Sequence, residues 1–274
     1  MPREEQVCEI ITVGNELLTG RTLNTNSQWL AERITQLGGF VRRCVVVRDD
    51  VIEIAEILKE ALTRNPNFII FAGGLGPTYD DLTLDGVAKG FKRRLVVNKR
   101  ALQMLRTKYR QMWKKGVIEK YELTEARIKM ARLPSGAIPL LNPVGTAPGV
   151  LLNLDSCILA CLPGVPSEMK GIFEESLKQV IAERTGRVFS YSRTLNVEGI
   201  VESSIAPLLE KIVGRFPDVY IKSHPQGIEG GISRIRIEFT GRSRTKARVK
   251  VRVSKAAQEL AKVIRKRGGS VELV

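Results

Sequence analysis

Phe68-Ile-Ile-Phe-Ala-Gly-Gly-Leu-Gly-Pro-Thr-Tyr-Asp-Asp-Leu-Thr83 decides the reading of this chain. Phe68 to Phe71 is apolar and β-branched, bounded upstream by Asn65-Pro66, and reads as a buried strand. Gly73, Gly74 and Gly76 let the backbone turn sharply and approach a ligand without Cβ clashes. Pro77 suits a first helical position, so the loop is expected to feed a helix N-terminus, where free N–H groups favour an anion. Asp80 and Asp81 would then lie in the first turn. Carboxylates beside a bound phosphate repel it unless a divalent cation bridges them, which predicts a phosphate-bearing ligand with a metal. The plainer alternative is that the acids complement the helix dipole and the glycines merely turn.

Strand-like and helix-like segments alternate on either side of this loop. Glu9 to Val13, Val41 to Val47 and the Phe68 run read as strands. Asn26 to Leu37, Val51 to Arg64, a stretch ending near Gly90, Lys99 to Met112 and Thr124 to Ala131 read as helices. Gly149 to Leu154 and Cys157 to Leu162, with a turn at Asp155-Ser156, read as a hairpin, and Ser167 to Arg184 as a closing helix. This alternation predicts an α/β sandwich with a mostly parallel sheet and one edge hairpin. Thr185-Gly186-Arg187 is the expected boundary, giving domains 1–184 and 185–274. The second reads β-α-β-β-α: Ser190 to Val197, Glu202 to Val213, Val219 to Lys222, a glycine-rich turn from Gln226 to Gly231, Ile232 to Phe239, and a long basic helix. His224, the one histidine, falls in a Ser-His-Pro sequence expected to be a solvent-facing turn.

The chain has 274 residues, enough for a large and a small domain, and 43% are hydrophobic. No apolar run approaches the ~20 residues that span a bilayer, and MPREEQVCEI carries no apolar signal segment, which predicts a cytoplasmic protein without membrane partners. Cys8, Cys44, Cys157 and Cys161 lie in or beside apolar runs and are expected to be buried reduced thiols. The net charge is +15, with 18 Lys and Arg against 8 Asp and Glu from Thr185 onward. The excess peaks in Arg242, Arg244, Lys246, Arg248, Lys250 and Arg252. Val249, Val253, Ala257, Leu260 and Ile264 recur there at helical spacing, and no aromatic interleaves, so a solvated helix face is preferred to a nucleic-acid site.

Ligands of an open parallel sheet collect at the carboxyl ends of its strands. Three further loops follow strands and carry suitable residues. Gly14 to Gly20, GNELLTG, offers Gly14, Asn15 and Glu16, with Asn24 or Thr25 placed to cap the next helix and Asn26 beside them. Asn142 to Gly149, NPVGTAPG, could bring the Gly145 and Thr146 N–H groups to a phosphate. Leu162 to Met169, LPGVPSEM, places Ser167 and Glu168 at a helix start. Each alone is an ordinary turn; four converging loops predict a polar site.

In this order the four motifs, GGLGPTYDDLT and GTAPG above all, closely resemble the N-terminal domain of the competence-damage-inducible CinA family, akin to the molybdopterin-binding domains of the MogA and MoeA proteins. The resemblance runs from Glu9 to the end, with few motifs after residue 185. Full-length bacterial members carry a further C-terminal amidase domain acting on nicotinamide mononucleotide. That activity is not expected of a sequence ending at Val274. Asn15 stands where other members often have Asp or Thr.

The resemblance implies a three-layer α/β fold of the molybdopterin-binding type, a homodimer, and a metal-dependent pyrophosphatase that hydrolyses ADP-ribose to AMP and ribose 5-phosphate. Under that expectation Asp80 and Asp81 hold a divalent cation (Mg, Mn or Co), and Glu16 or Glu168 orients or deprotonates the water. Gly14, Asn15, Asn26, Gly73, Gly74, Gly76, Thr78, Gly145 and Thr146 would hold the ligand, with backbone N–H groups of Gly74, Gly76, Gly145 and Thr146 on its phosphates. The alternative is a molybdopterin-binding or adenylyl-transferring protein of molybdenum cofactor biosynthesis, whose phosphate loop would hold a pterin phosphate.

Overall fold

The computed structural model describes residues 6–154, 156–186, 188–229 and 232–274. Asp155 of the expected hairpin turn, Arg187 of the expected boundary, and Gly230 and Gly231 of the expected glycine turn lie outside them. The chain forms two compact units, Met1–Gly186 and Arg187–Val274.

The first unit runs β1 (Val7–Val13), α1 (Asn15–Leu18), α2 (Thr25–Gln36), β2 (Phe40–Val47), α3 (Val51–Thr63), β3 (Phe68–Ala72), α4 (Thr83–Gly90), β4 (Leu95–Val97), α5 (Lys99–Lys114), α6 (Glu125–Lys129), β5 (Arg132–Pro134), β6 (Ile138–Leu140), β7 (Gly149–Asn153), β8 (Ile158–Leu162), α7 (Pro166–Ile172) and α8 (Lys178–Thr185). Six strands make one sheet in the order β2-β1-β3-β8-β7-β6. β1 pairs in parallel with β2 and β3, and β3 with β8; only β7 runs against its neighbours.

Side-chain alternation in β3 explains the layers. Phe68 and Ile70 pack with Leu30 and Ile34 of α2 and with Met169, Ile172 and Ile181 from the α7–α8 segment. Ile69 and Phe71 pack on the other face with Ile54 and Leu58 of α3, Val87 of α4 and Leu105 of α5. A strand covered on both faces reads as an unbroken apolar run, which is why Phe68 to Ala72 shows no alternation. Burying Phe71 completely contributes about 1.5–3 kcal/mol. Truncation to alanine would cost about 3–5 kcal/mol, because the cavity adds to the transfer loss.

The helices begin where the sequence supplies caps. Asn24 Oδ1 accepts from Ser27 N at 3.1 Å, Asp50 Oδ1 from Ile52 N and Glu53 N at 2.8 and 2.9 Å, and Asn98 Oδ1 from Arg100 N and Ala101 N at 3.0 and 3.1 Å. Gly38, at φ 89°, follows the end of α2.

Several expectations need correction. Pro77 does not open a helix; α4 starts at Thr83, because Thr83 ties back to the loop's beginning through Thr83 N on Gly74 O (3.2 Å) and Thr83 Oγ1 on Gly73 O (2.8 Å). Asp80 and Asp81 therefore lie in a closed loop ahead of the helix, and Asp85 is the first-turn acid. The β7–β8 hairpin is not at the edge: three-residue β6 pairs outside β7, its Pro139 tolerable only on an edge strand. The closing helix contains a π-helical turn, Phe173–Leu177, where Phe173 meets Trp29 edge-on at 5.2 Å. Cys44 is exposed, because β2 is the other edge strand.

One charged residue sits inside the sheet. Glu9, 1% exposed, takes Arg64 Nε at 2.8 Å and Nη2 at 2.6 Å, with Arg42 at 3.3 Å. Burial pushes its carboxyl up, but the Arg64 bonds and the charges of Arg64, Arg42 and Arg43 together hold it below the usual value.

The second unit runs β9 (Phe189–Glu198), α9 (Glu202–Arg215), β10 (Val219–Glu229), β11 (Ile232–Ser243), α10 (Lys246–Lys266) and β12 (Ser270–Leu273), an antiparallel sheet ordered β10-β11-β9-β12. Val249, Val253, Ala257, Leu260 and Ile264 of α10 are buried among the inward residues of β9 and β11. β10 is far longer than the expected Val219 to Lys222, extending through Gln226 to Glu229, and the closing β12 escaped the sequence reading. His224 is a strand residue opposite Arg236, not a turn residue; its backbone is held by the β10–β11 ladder while its side chain lies 3.7 Å from Glu238.

Candidate functional site

Parallel β1, β2, β3 and β8 end at one rim, where β6 also ends and antiparallel β7 begins. Five loops meet there. Val13, Gly14, Glu16, Asp49, Gly73 to Thr78, Asp80, Asp81, Thr146, Ala147, Pro163 to Val165 and Glu168 line a cleft of about 380 Å³. The four expected loops converge. The fifth, Arg48-Asp49-Asp50 after β2, was missed; its position after a strand on the same sheet was the available signal.

Gly73 holds the cleft floor. Its φ is 116°, a Cβ there would lie 2.1 Å from Val13 O, and its N–H binds Leu162 O at 3.0 Å. The turn thus links the ends of β1, β3 and β8 too closely for any side chain.

Thr78 organises the acids above it. Its Oγ1 lies 2.6 Å from Asp80 Oδ1 and 2.5 Å from Asp81 Oδ2, and its N–H donates to Asp81 Oδ2 at 2.8 Å. A hydroxyl has one hydrogen, so two carboxylates share a single O–H donor. The Thr78 bond, then Asp80's own backbone N–H and the charge of Lys129, hold the Asp80 carboxyl below its ordinary value. Lys129 Nζ itself donates to Thr78 O. Asp49 differs: burial, then the repulsion of Glu16, Asp80 and Asp81, push its carboxyl up against the N–H of Asn15, which donates to Asp49 Oδ2 at 2.8 Å.

Glu168 is anchored. Asn142, 2% exposed, donates from Nδ2 to Glu168 Oε2 at 2.6 Å and to Ala147 O at 2.8 Å. Its Oδ1 accepts from Val144 N and Gly145 N at 3.0 and 2.8 Å. The Gly145 N–H is therefore spent within the loop and is not free for a phosphate; Thr146 lines the cleft. Any Cβ there would meet the Glu168 carboxylate at 2.1–2.3 Å and push it from the position Asn142 gives it. Asn26 donates to Gly164 O at 2.7 Å while its Oδ1 is buried with no partner among the described residues. A buried acceptor left unmade costs about 1–3 kcal/mol, which a ligand hydroxyl or amide would relieve. Gly14, Glu16, Gly74 and Gly76 also line the cleft; Asn15 reaches it through its backbone N–H to Asp49.

Among the described residues no lysine or arginine lines this cleft and five carboxylates do, while Lys129 reaches its edge through Thr78 O. Across Gly74, Leu75 and Gly76 lies a neighbouring cleft of about 350 Å³, where Lys129 and Arg132 stand above apolar Leu84, Leu95 and Met130. Among the described residues no group of three or more acids, histidines or cysteines is arranged to hold a metal ion. Two carboxylates completed by water and substrate oxygens remain a sufficient protein set for a hard cation such as Mg.

A family model described as a probable molybdopterin binding domain matches residues 9–183. The chain belongs to this family. Relatives extend over the whole length. A protein of Metallosphaera sedula is 42% identical over 266 residues, covering 97% of each chain, and one of Aeropyrum pernix 44% identical over 262 residues, covering 96% of this chain and 95% of its own. A crystal structure of CinA from Thermoplasma acidophilum, described as of unknown function, is 38% identical with a TM-score of 0.59, covering 65% of this chain and 98% of its own. The CinA likeness read from the four loops thus coincides with a structural one, and the molybdopterin-binding-type domain is the unit that carries the cleft. No helix among the described residues is long and apolar enough to cross a membrane.

Proposed function

We propose that the rim cleft binds a diphosphate-bridged nucleotide and hydrolyses its pyrophosphate bond with a divalent cation, ADP-ribose giving AMP and ribose 5-phosphate. The observation that carries this reading is the crowding of Asp80 and Asp81 onto the single hydroxyl of Thr78, beside three further carboxylates, with Lys129 at the loop's edge as the one nearby cation among the cleft's described contacts. Such a site repels a diphosphate by itself and accepts one with a cation. Asp80 and Asp81 would hold Mg, Mn or Co, which would supply Lewis-acid stabilisation of the charge developing on the phosphoryl oxygens.

The chain's own groups do the rest. The backbone turn at Gly74 to Gly76, with Thr146 opposite, positions the phosphates without side-chain interference. Asp49 accepts the proton of the attacking water: its raised carboxyl is a better base than an ordinary aspartate, and one of its oxygens is already oriented by Asn15 N–H. Glu168, fixed by Asn142, and Glu16 orient that water. Asn26 Oδ1 accepts from a ribose hydroxyl. A homodimer belongs to the same reading, and light scattering on the purified protein tests it.

A second reading is favoured by the family description itself: a pterin phosphate held in the same cleft without hydrolysis. Incubating the purified protein with ADP-ribose and Mg, Mn or Co, and measuring molybdopterin affinity in parallel, separates the two. AMP and ribose 5-phosphate appearing only with metal supports hydrolysis. Tight pterin binding with no nucleotide product under any metal supports the second reading.

A further inference from the structure

Outside the rim site, α5 is unusual in its charge. It carries Lys99, Arg100, Arg106, Lys108, Arg110 and Lys114 and no acid, with two of these bases in its first turn, where the helix dipole disfavours them. Arg106, Arg110 and Lys114 recur every four residues on one exposed face, a like-charge spacing that destabilises an isolated helix. Several basic residues elsewhere are paired: Arg33 with Glu174, Arg64 with Glu9, Arg215 with Glu259 and Arg252 with Asp218. Arg106 and Lys114 have no acidic partner among the described residues, and Arg110 stands only over the Tyr121 ring, 5.7 Å from its centroid. These three cations, Gln103, Thr107, Gln111 and Tyr121 line a groove of about 500 Å³.

We propose that this groove binds single-stranded nucleic acid. Three cations at four-residue intervals lie about 6 Å apart along the helix axis, so the row is too long for one phosphate and matches a run of them along a strand. Tyr121 offers a face on which a base stacks, and the interleaved amides and hydroxyl of Gln103, Gln111 and Thr107 can meet base edges or sugars. A bilayer surface fits less well, because the apolar face of α5 (Ala101, Leu105, Tyr109) is buried in the protein core and cannot enter lipid. The preference for a solvated face over a nucleic-acid site concerned α10, whose bases have no interleaved aromatic; the row of bases on α5 has Tyr121, beyond the helix, beside it.

The test is fluorescence anisotropy of a labelled oligothymidine of about twelve nucleotides with the full chain over a salt series. Three phosphate contacts on a single strand predict a slope of about −2 for log affinity against log salt. Arg106→Gln with Arg110→Gln should weaken binding at least ~10-fold and reduce the slope by about 1.4. Tyr121→Ala should weaken it without changing the slope. Lys246→Gln with Lys250→Gln on α10 should change neither, and melting temperatures confirm that each variant is folded. Undiminished binding by the Arg106/Arg110 variant, or loss only on changing α10, would overturn the proposal. So would anionic vesicles or tripolyphosphate binding at this face while the oligonucleotide does not.

Discussion

The Nδ2 of Asn142 stands 2.6 Å from Glu168 Oε2, a bond that ties the β6–β7 loop to the first turn of α7 across 26 residues. The same side chain closes the loop through Val144 N, Gly145 N and Ala147 O. Asn142→Asp keeps the two acceptor bonds but removes both donor bonds and faces one carboxylate with another. Leaving buried partners unpaired should cost about 1–3 kcal/mol, read as a lower melting temperature. Turnover on ADP-ribose should fall at least ~10-fold, and lowering the pH enough to protonate one of the two acids should return part of the stability. Kinetics like the wild type would remove Glu168 from the positioning role.

Asp49 gives a prediction with a defined sign. Its carboxyl is raised in the folded protein, by burial first and by Glu16, Asp80 and Asp81 after it, so its ionised form opposes folding. That destabilisation is present above the raised value and disappears as pH falls below the ordinary aspartate range. Asp49→Asn, which keeps an acceptor for Asn15 N–H, should therefore melt higher than the wild type at neutral pH, with the difference vanishing in acid. As the loss of a general base it should cut turnover ~100-fold or more. A variant of unchanged turnover, or one less stable at neutral pH, would contradict the assignment.

The Glu9–Arg64 pair behaves oppositely. Glu9 is held below its ordinary value, so its contribution is complete above about pH 4.3, the unperturbed glutamate value, and is lost as pH falls through the lower folded one. Arg64→Met strands a buried carboxylate 1% exposed and should cost about 3–5 kcal/mol in denaturant unfolding. Specific activity of the folded fraction should be unchanged, since the pair lies outside the cleft lining. A drop below ~1 kcal/mol would show that Arg42 compensates.

Much of this is legible in the amino-acid sequence. The uninterrupted apolar run of β3 announces a strand covered on both faces, and four glycine- or proline-bearing loops after strands announce a rim. Asp49 carries only a weak signal, its place after β2, because Asp49-Asp50 looks like an ordinary helix start; Asp50 does cap α3, while Asp49 lines the cleft. Pro77 misled because it resembles a helix opening, whereas the Thr83 bonds to Gly73 and Gly74 postpone the helix by six residues. Glu9 looked like one more residue of an apolar strand, since its partner lies 55 residues away at the end of α3. β6 and β12 were invisible for lack of length, three and four residues being too few to show a period.

The central claim, that Asp80 and Asp81 anchor a cation for pyrophosphate hydrolysis, is tested most directly by metal-dependent turnover of Asp81→Asn on ADP-ribose, with its melting temperature taken on the same sample. Asparagine can still accept from Thr78 N–H, and Asp81 precedes α4, so the fold loses little. The account predicts a loss of turnover of at least ~100-fold, the scale of a principal electrostatic group, with a melting temperature near that of the wild type. Metal-stimulated hydrolysis at the wild-type rate, in a variant that is merely less stable, would contradict it.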